Sequence, residues 1–380
     1  MKRQGNLIEK IADYDNIYWA YWKAKRGKNS KKEVLEYGQA IENNLKSLQN
    51  GILKNYVEIG KYHFFKIFEP KERQICAASF GERVLHHAIM NVCHQSFEKY
   101  QVFDSYASRI GKGTYEAIHR AAYFQKKYNY FMKIDCRKYF DSIDHAVLKT
   151  QISRRFKDNM ILNLFFRIID SYQVSQNKGL PIGNLTSQYF ANHYLAHADR
   201  YLTETLKAPA MVRYMDDIII WHEDNEALKQ IGLKFKNYCK DTLKIDFKHQ
   251  YQNKTNVGVS FLGVFIWKNH QTLNKSSKKR LLENYKITES DFFNENIDES
   301  TYHKKLSSLM VRPRKVKSYR FRKQLIWNTI ERKDPSGRQL LQQCRELPPS
   351  ESQQHPSRQP QQQQRFSVGF FPQLKPDSGY

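Results

Sequence analysis

The sequence predicts an α+β fold, and three observations carry that prediction. Between residues 130 and 275, short strand-like apolar runs alternate with longer helical patterns, as in a catalytic unit of mixed structure. Residues 1 to about 60 instead carry apolar side chains at helical spacing throughout. Finally, Tyr214-Met215-Asp216-Asp217 lies between Met211-Val212 and Ile218-Ile219-Ile220-Trp221, where a hairpin turns.

The elements follow in order. Ile8, Ile11, Tyr14 and Tyr18, then Val34, Tyr37, Ile41, Leu45 and Leu48, form helical stripes that read as core packing. From residue 62 to 75 the pattern shortens to strand-like pieces around Glu69-Pro70-Lys71, and residues 83–100 are again helical. Tyr130-Phe131-Met132-Lys133-Ile134-Asp135 reads as a strand that ends in an acid. After Leu273 the chain is helical and basic, with seven Lys or Arg among the twelve residues 312–323 and Tyr319 and Phe321 interleaved. Basic charge tracks a phosphate backbone and aromatic rings stack on bases, so this segment is a candidate nucleic-acid contact, with a solvated face as the alternative. Residues 334–380 hold seven of the eleven prolines and no isoleucine, the composition of a disordered tail.

Charge narrows the partner. The 380 residues carry 63 Lys and Arg against 38 Asp and Glu, a formal +25 that argues for a polyanion. No run of about 18 apolar residues exists and residues 1–6 lack a signal-peptide core, so a cytoplasmic protein without a membrane partner is expected. The five cysteines, never in a C-x-x-C pair, read as reduced thiols.

Adjacent acids repel each other unless a cation binds them, and a hard divalent ion held by oxygen is the usual solution. If the strand ending at Asp135 neighbours the hairpin carrying Asp216 and Asp217, three carboxylates meet at one sheet edge. That is the layout of a two-metal phosphoryl-transfer site. Asp135 and Asp216 are the expected shared ligands, and Asp217 supports them. Asp141 and Asp144 read as acids at a helix start. His86, His87, Cys93 and His94 share one helical stretch, but neighbouring positions point about 100° apart, so zinc is disfavoured and the histidines are expected near nucleic acid.

The run from Asp135 to Phe140, the Tyr-Met-Asp-Asp turn and Val259-Ser260-Phe261-Leu262-Gly263-Val264 resemble the palm of a reverse transcriptase. Pro70-Lys71-Glu72-Arg73-Gln74-Ile75, Gly81-Glu82-Arg83-Val84 and Ser105-Tyr106-Ala107-Ser108-Arg109 resemble the finger motifs of bacterial and group II intron enzymes. The resemblance spans roughly residues 60 to 275, in family order. Intron enzymes carry Gly-Thr-Pro-Gln-Gly leading to Ser-Pro. Here the block from Gly179 to Asn192 has Ile182 for the glutamine and Gln188 for the proline, a double change that resembles diversity-generating retroelement enzymes. Ile110-Gly111-Lys112-Gly113-Thr114 points the same way.

The resemblance implies a right-hand polymerase fold with an antiparallel palm sheet: fingers and palm in residues 1–274 (core 60–274), a basic helical thumb in 275–333 and the tail. It implies RNA-directed DNA synthesis with two magnesium ions, manganese substituting, held by Asp135, Cys136, Asp216 and Asp217. Asp135, Asp216, Asp217 and Lys248 would be catalytic, Lys248 protonating pyrophosphate unless Lys254 does so. Lys71, Arg73, Phe140, Ile182, Gly183 and Gln188 would contact the nucleotide: Arg73 and Lys71 its phosphates, Phe140 beneath its sugar, and Gly183 near template or base. Phe261, Leu262 and Gly263 would form a primer grip. Arg109, Arg312, Arg314, Lys315, Lys317, Tyr319, Arg320, Arg322 and Lys323 would contact nucleic acid. The retroelement resemblance further implies adenine-directed misincorporation from a template-repeat RNA and a small basic accessory variability protein as partner. An intron or retron enzyme of ordinary fidelity and a non-catalytic RNA-binding scaffold are the rival readings.

Overall fold

A computed structural model describes residues 5–68, 72–248 and 250–330, with side chains through Leu325. The expected disordered tail lies outside the described residues. The chain divides into two compact units, the first ending at Ser318 and the second beginning at Tyr319. The architecture is α+β, as expected for a polymerase-like fold.

The first unit opens with α1 (Ile8–Ala12), α2 (Tyr14–Lys25), α3 (Lys32–Gln39) and α4 (Ile41–Leu53), whose apolar stripes pack on α5 (Phe80–Glu98). Before α5, β1 (Tyr62–Phe68) and β2 (Glu72–Ala78) form an antiparallel hairpin, mostly exposed along its length. Ser79 caps α5 by accepting a hydrogen bond from the Glu82 N–H. Next come α6 (Thr114–Lys127), β3 (Tyr130–Asp135), the short α7 (Tyr139–Ser142), α8 (His145–Ser153), α9 (Asn159–Asp170) and α10 (Leu185–Arg200). Asp144 caps α8 through the Val147 N–H, the role expected of it.

The hairpin of β4 (Ala210–Tyr214) and β5 (Asp217–His222) leads into α11 (Asn225–Leu243) and β6 (Tyr251–Lys254). These strands and β3 form one antiparallel sheet in the order β4-β5-β3-β6. Strand side chains alternate between faces, and both faces are covered here. Met132, Ile134, Ile218 and Ile220 enter a large helical core, whereas Phe131, Ile219 and Trp221 enter a second core with α6. That double burial is why residues 218–221 read as an unbroken apolar run. A second sheet of β7 (Val259–Phe261), β8 (Val264–Ile266) and β9 (Gln271–Leu273) completes the second core. The unit closes with α12 (Lys275–Phe293) and α13 (Glu299–Arg314), and α14 (Tyr319–Ile330) belongs to the second unit. Among the described residues no helix is long and apolar enough to cross a membrane.

Candidate active site

The register of the palm sheet brings the acids together. Asp135 ends β3 directly opposite Asp217, the first residue of β5, and Tyr214 faces Asp217 across the turn made by Met215 and Asp216. The main-chain oxygen of Asp135 accepts from the Lys248 N–H at 2.9 Å on the far edge. Asp135 and Asp217 are thus a non-hydrogen-bonded pair, the closer of the two antiparallel pairings. Met215 turns the hairpin with a left-handed φ of 56°, unusual for a bulky residue and characteristic of strain kept at functional sites.

Two lysines neutralise this edge. Lys248 Nζ stands 2.7 Å from Asp135 Oδ2, and Lys133 Nζ stands 3.0 Å from Asp217 Oδ2 while donating to the Ser260 carbonyl at 2.7 Å. Burial pushes the Asp217 carboxyl up to about 6, opposed by Lys133 and reinforced by Asp216 and Asp135. Burial also raises Asp216; repulsion from Asp135 adds to this, and Lys248 and Arg73 oppose it. The positive charge of Arg73, on β2, therefore acts on Asp216 in the hairpin turn. Asp217 Oδ1 is buried with no hydrogen-bond partner among the described residues.

The donor set, carboxylates without imidazole or thiolate, suits magnesium, which binds through one or two carboxylates and takes its remaining oxygens from water and substrate phosphates. Among the described residues no three His, Cys, Asp or Glu side chains already form a metal cage.

Several expected residues fall differently. The Cys136 side chain is buried and its thiol is pushed well up, by burial first and then by the charge of Asp216. Its own N–H and C=O point away from Phe247, which it faces across an antiparallel bridge, and toward the acidic hairpin. Arg109 is committed internally: Nε and Nη2 bond Glu98, and Nη1 donates to the Val102 and Ser105 carbonyls at 2.7 and 2.6 Å. It braces a loop, with four of its five N–H donors engaged within the protein. Lys254 pairs with Tyr130 at the opposite end of β3 from Asp135, so of Lys248 and Lys254 it is Lys248 that meets the acids. In α5, His86 is buried beside Glu82, Cys93 is buried and His94 Nδ1 meets the Tyr189 hydroxyl at 2.9 Å. Those residues serve packing rather than a nucleic-acid face.

The block before α10 fastens the fingers hairpin to the palm. Ile182 C=O accepts from the Cys76 N–H at 2.8 Å, and Asn184 Oδ1 from the Ala78 N–H at 3.1 Å. Gly183, at φ 125°, lies so close that a Cβ would meet Ile75 Cγ2 at 2.9 Å and Cys76 O at 3.1 Å. Gln188 Oε1 accepts from the Ser108 hydroxyl at 3.0 Å. Phe140, half-buried on α7, packs edge-on to Tyr139. Lys71 lies outside the described residues.

Leu262 and Gly263, both at positive φ, turn the β7–β8 hairpin as a two-residue loop. A Cβ on Gly263 would lie 2.8 Å from Arg312 Nη1, so the first cation of the basic segment rests on this turn. Lys315 Nζ stands 5.9 Å from the Tyr115 ring centre, and the Lys317 N–H donates to the Gln271 carbonyl. Arg314 is exposed on α13. Tyr319, Arg320, Arg322 and Lys323 lie on α14 in the second unit. Two residues not singled out by sequence reasoning belong to the site: Lys133, which links Asp217 to β7, and Arg213, whose Nη1 donates to the Met215 carbonyl at 2.9 Å. A lone arginine inside the apolar run of β4 was the available signal.

The yeast (Saccharomyces cerevisiae) putative COX1/OXI3 intron 2 protein is 27% identical over 118 residues, 29% of this chain and 13% of that protein. The putative COX1/OXI3 intron 1 protein is 21% identical over 215 residues, 52% of this chain and 25% of that protein. The chain thus spans a quarter or less of these curated relatives. Among solved structures, telomerase from Candida albicans with a fragment of telomeric RNA aligns with a TM-score of 0.48 at 10% identity, covering 77% of this chain and 66% of that one. Apo telomerase from Candida tropicalis aligns at 0.45 and 16% identity, covering 65% and 57%. Residues 66–266, more than half the chain and including Asp135, the Met215 turn and the β7–β8 hairpin, match the family described as reverse transcriptase (RNA-dependent DNA polymerase). The chain belongs to the reverse transcriptase family.

Proposed function

We propose that this protein extends a primer 3′-hydroxyl with deoxynucleotides on an RNA template, with Asp135, Asp216 and Asp217 as its reactive centre. The observation that carries the reading is the antiparallel register that sets Asp135 against Asp217 beside the strained Met215 turn. Residues 1–274 would be fingers and palm, and residues 275–333 the thumb.

Asp135 and Asp216 are the proposed ligands of two magnesium ions, with the Cys136 carbonyl as a further oxygen donor. When bound there, the ions would neutralise the triphosphate and favour ionisation of the primer hydroxyl. Asp217 anchors Lys133 and through it the β7–β8 hairpin, the proposed primer grip. Lys248, an ammonium on an exposed stem, donates its proton at Nζ to the leaving pyrophosphate. Arg73 holds phosphate oxygens in its fork, and Phe140 lies under the sugar, where a ring leaves no room for a 2′-hydroxyl. Ile182, Gly183 and Gln188 form the floor that joins nucleotide-side fingers to palm.

The test is primer extension on RNA with magnesium, comparing wild type with Asp216→Asn. Extension in the wild type alone, with primer–template affinity held within about twofold, is expected. Equal extension by both proteins refutes the site, and no extension by either returns the scaffold reading.

The curated relatives are putative intron proteins, and this favours an intron-type enzyme of ordinary fidelity. A second reading, adenine-directed misincorporation as in diversity-generating retroelements with a basic accessory protein, is favoured by Ile182 and Gln188. Isoleucine offers no hydrogen bond where glutamine would, which narrows discrimination between right and wrong nucleotides. Sequencing cDNA from an adenine-containing template separates the two: errors concentrated opposite adenine, and reduced by Ile182→Gln, support the second, and uniform fidelity supports the first.

A further inference from the structure

The largest fully buried charged side chain among the described residues has no part in the chemistry proposed above. Arg213, on β4, is fully buried, as is Asp199 on α10, and they form a bidentate pair. Nε lies 2.8 Å from both Asp199 oxygens, and Nη2 lies 2.7 Å from Oδ2. Nη2 also donates to Gln101 Oε1 at 3.2 Å, while Nη1 donates to Asn192 Oδ1 at 3.1 Å and to the Met215 carbonyl at 2.9 Å. A planar fork with five donors is suited to fixing several acceptors at once, which a lysine cannot do. Replacing a buried ion pair with apolar groups often costs nothing, so stability alone is a weak reason to bury this one.

The bond to Met215 suggests the reason. Met215 holds the left-handed backbone that turns the chain between Tyr214 and Asp216, and a turn of that kind persists only when its surroundings impose it. We propose that Arg213 is a positioning residue for the catalytic turn, anchored by Asn192 and Asp199, and that α10 carries this anchorage to the fingers. Asn184 stands just before α10, and Gln188, Asn192 and Asp199 within it are spaced by four and seven, so these three share one side of the helix. The four residues grip Ala78 of the fingers through Asn184, Ser108 through Gln188, the Ala107 carbonyl through Asn192 Nδ2 at 2.7 Å, and the catalytic turn through Arg213. The main chain adds to the clamp: the Arg213 N–H donates to Asp104 O and the Tyr106 N–H to Arg213 O, each at 2.9 Å. Gln188 is thereby a member of a strut between α10 and the Ser108 loop. This inference rests on the acids being the metal-binding centre of a polymerase.

The experiment compares wild type, Asn192→Leu and Arg213→Lys as full chains with bound primer–template. Asn192→Leu keeps the Asp199 pair and removes one anchor at nearly constant volume, which covers the possibility that Arg213→Lys does not fold. Manganese binding is titrated by electron paramagnetic resonance, and amide exchange is followed over residues 211–218. Both folded variants should need several-fold more manganese for half-saturation and should exchange faster at 211–218, while α4 exchanges as in wild type. Phe165→Leu, brought to the same melting temperature, should change neither quantity. Wild-type manganese affinity and wild-type exchange at 211–218 in Asn192→Leu would overturn the proposal, as would the same shifts in Phe165→Leu. A wild type that neither binds manganese nor extends primers defeats the polymerase reading, and the exchange comparison still decides whether Arg213 holds the turn.

Discussion

Gly183→Ala should detach the fingers hairpin from the palm without touching Asp135, Asp216 or Asp217. At φ 125° an alanine is strained wherever it sits, at about 1–3 kcal/mol. Its methyl would also press to 2.9 Å on Ile75 Cγ2 and 3.1 Å on Cys76 O, and the Cys76 oxygen is backbone that cannot rotate aside. The simplest relief is to part the strand from the loop. That breaks the Ile182–Cys76 hydrogen bond, a further loss of about 1 kcal/mol. These costs overlap, so the junction should weaken by roughly 2–4 kcal/mol, or about 30- to 1,000-fold in its opening equilibrium. Hydrogen exchange at the Cys76 and Ala78 amides reads that quantity directly, alongside the KM for nucleotide. Faster exchange confined to β2 and the loop, a raised KM and unchanged primer–template affinity are expected. Wild-type protection at Cys76 together with a KM within about twofold would refute the reasoning, since the contact would then carry no load.

Lys133→Met should leave Asp217 half-buried without its cation and free β7 from the palm, slowing extension and speeding primer dissociation, with Lys133→Arg restoring part of both. Rates measured by rapid quench and primer release decide it. Phe140→Ala should lower discrimination against ribonucleotides by about tenfold or more, measured as the ratio of kcat/KM for the two sugars; an unchanged ratio would make Phe140 a packing residue only. Stability should fall on acidification through the buried His193, whose imidazole is held down at about 3 by burial first and then by His197 and Arg155. The unfolded chain takes up that proton below the ordinary 6.5 while the folded one refuses it, so this contribution is complete above pH 7 and is lost as pH falls. Between pH 7 and pH 5 the loss is about 2 kcal/mol. Melting curves of wild type and His193→Gln at both pH values should show a smaller decline in the variant.

The strands that carry the acids were legible because burial on both faces writes them as apolar runs, and because no core needs two adjacent aspartates. Their register was not legible, and register is what sets Asp135 against Asp217. β6, polar and half-exposed at the sheet edge, gave no alternating pattern to read. Arg109 and the histidines of α5 looked like surface residues, since sequence reports a side chain's charge but not the partner that lets it be buried. Glu98 and two carbonyls enclose Arg109, and Tyr189 meets His94. Arg213 was hidden for the opposite reason: its four partner residues come from three separate segments, near residues 101, 192–199 and 215.

The two ammonium groups at the acidic edge also bear on how this protein can be made and kept. A site whose charges are balanced only by metal ties folding to metal supply, and chelators then unfold it. Here Lys248 and Lys133 already sit against Asp135 and Asp217, so the polypeptide carries its own counterions. Such a protein is expected to keep its melting temperature in chelator, which thermal denaturation with and without EDTA would read.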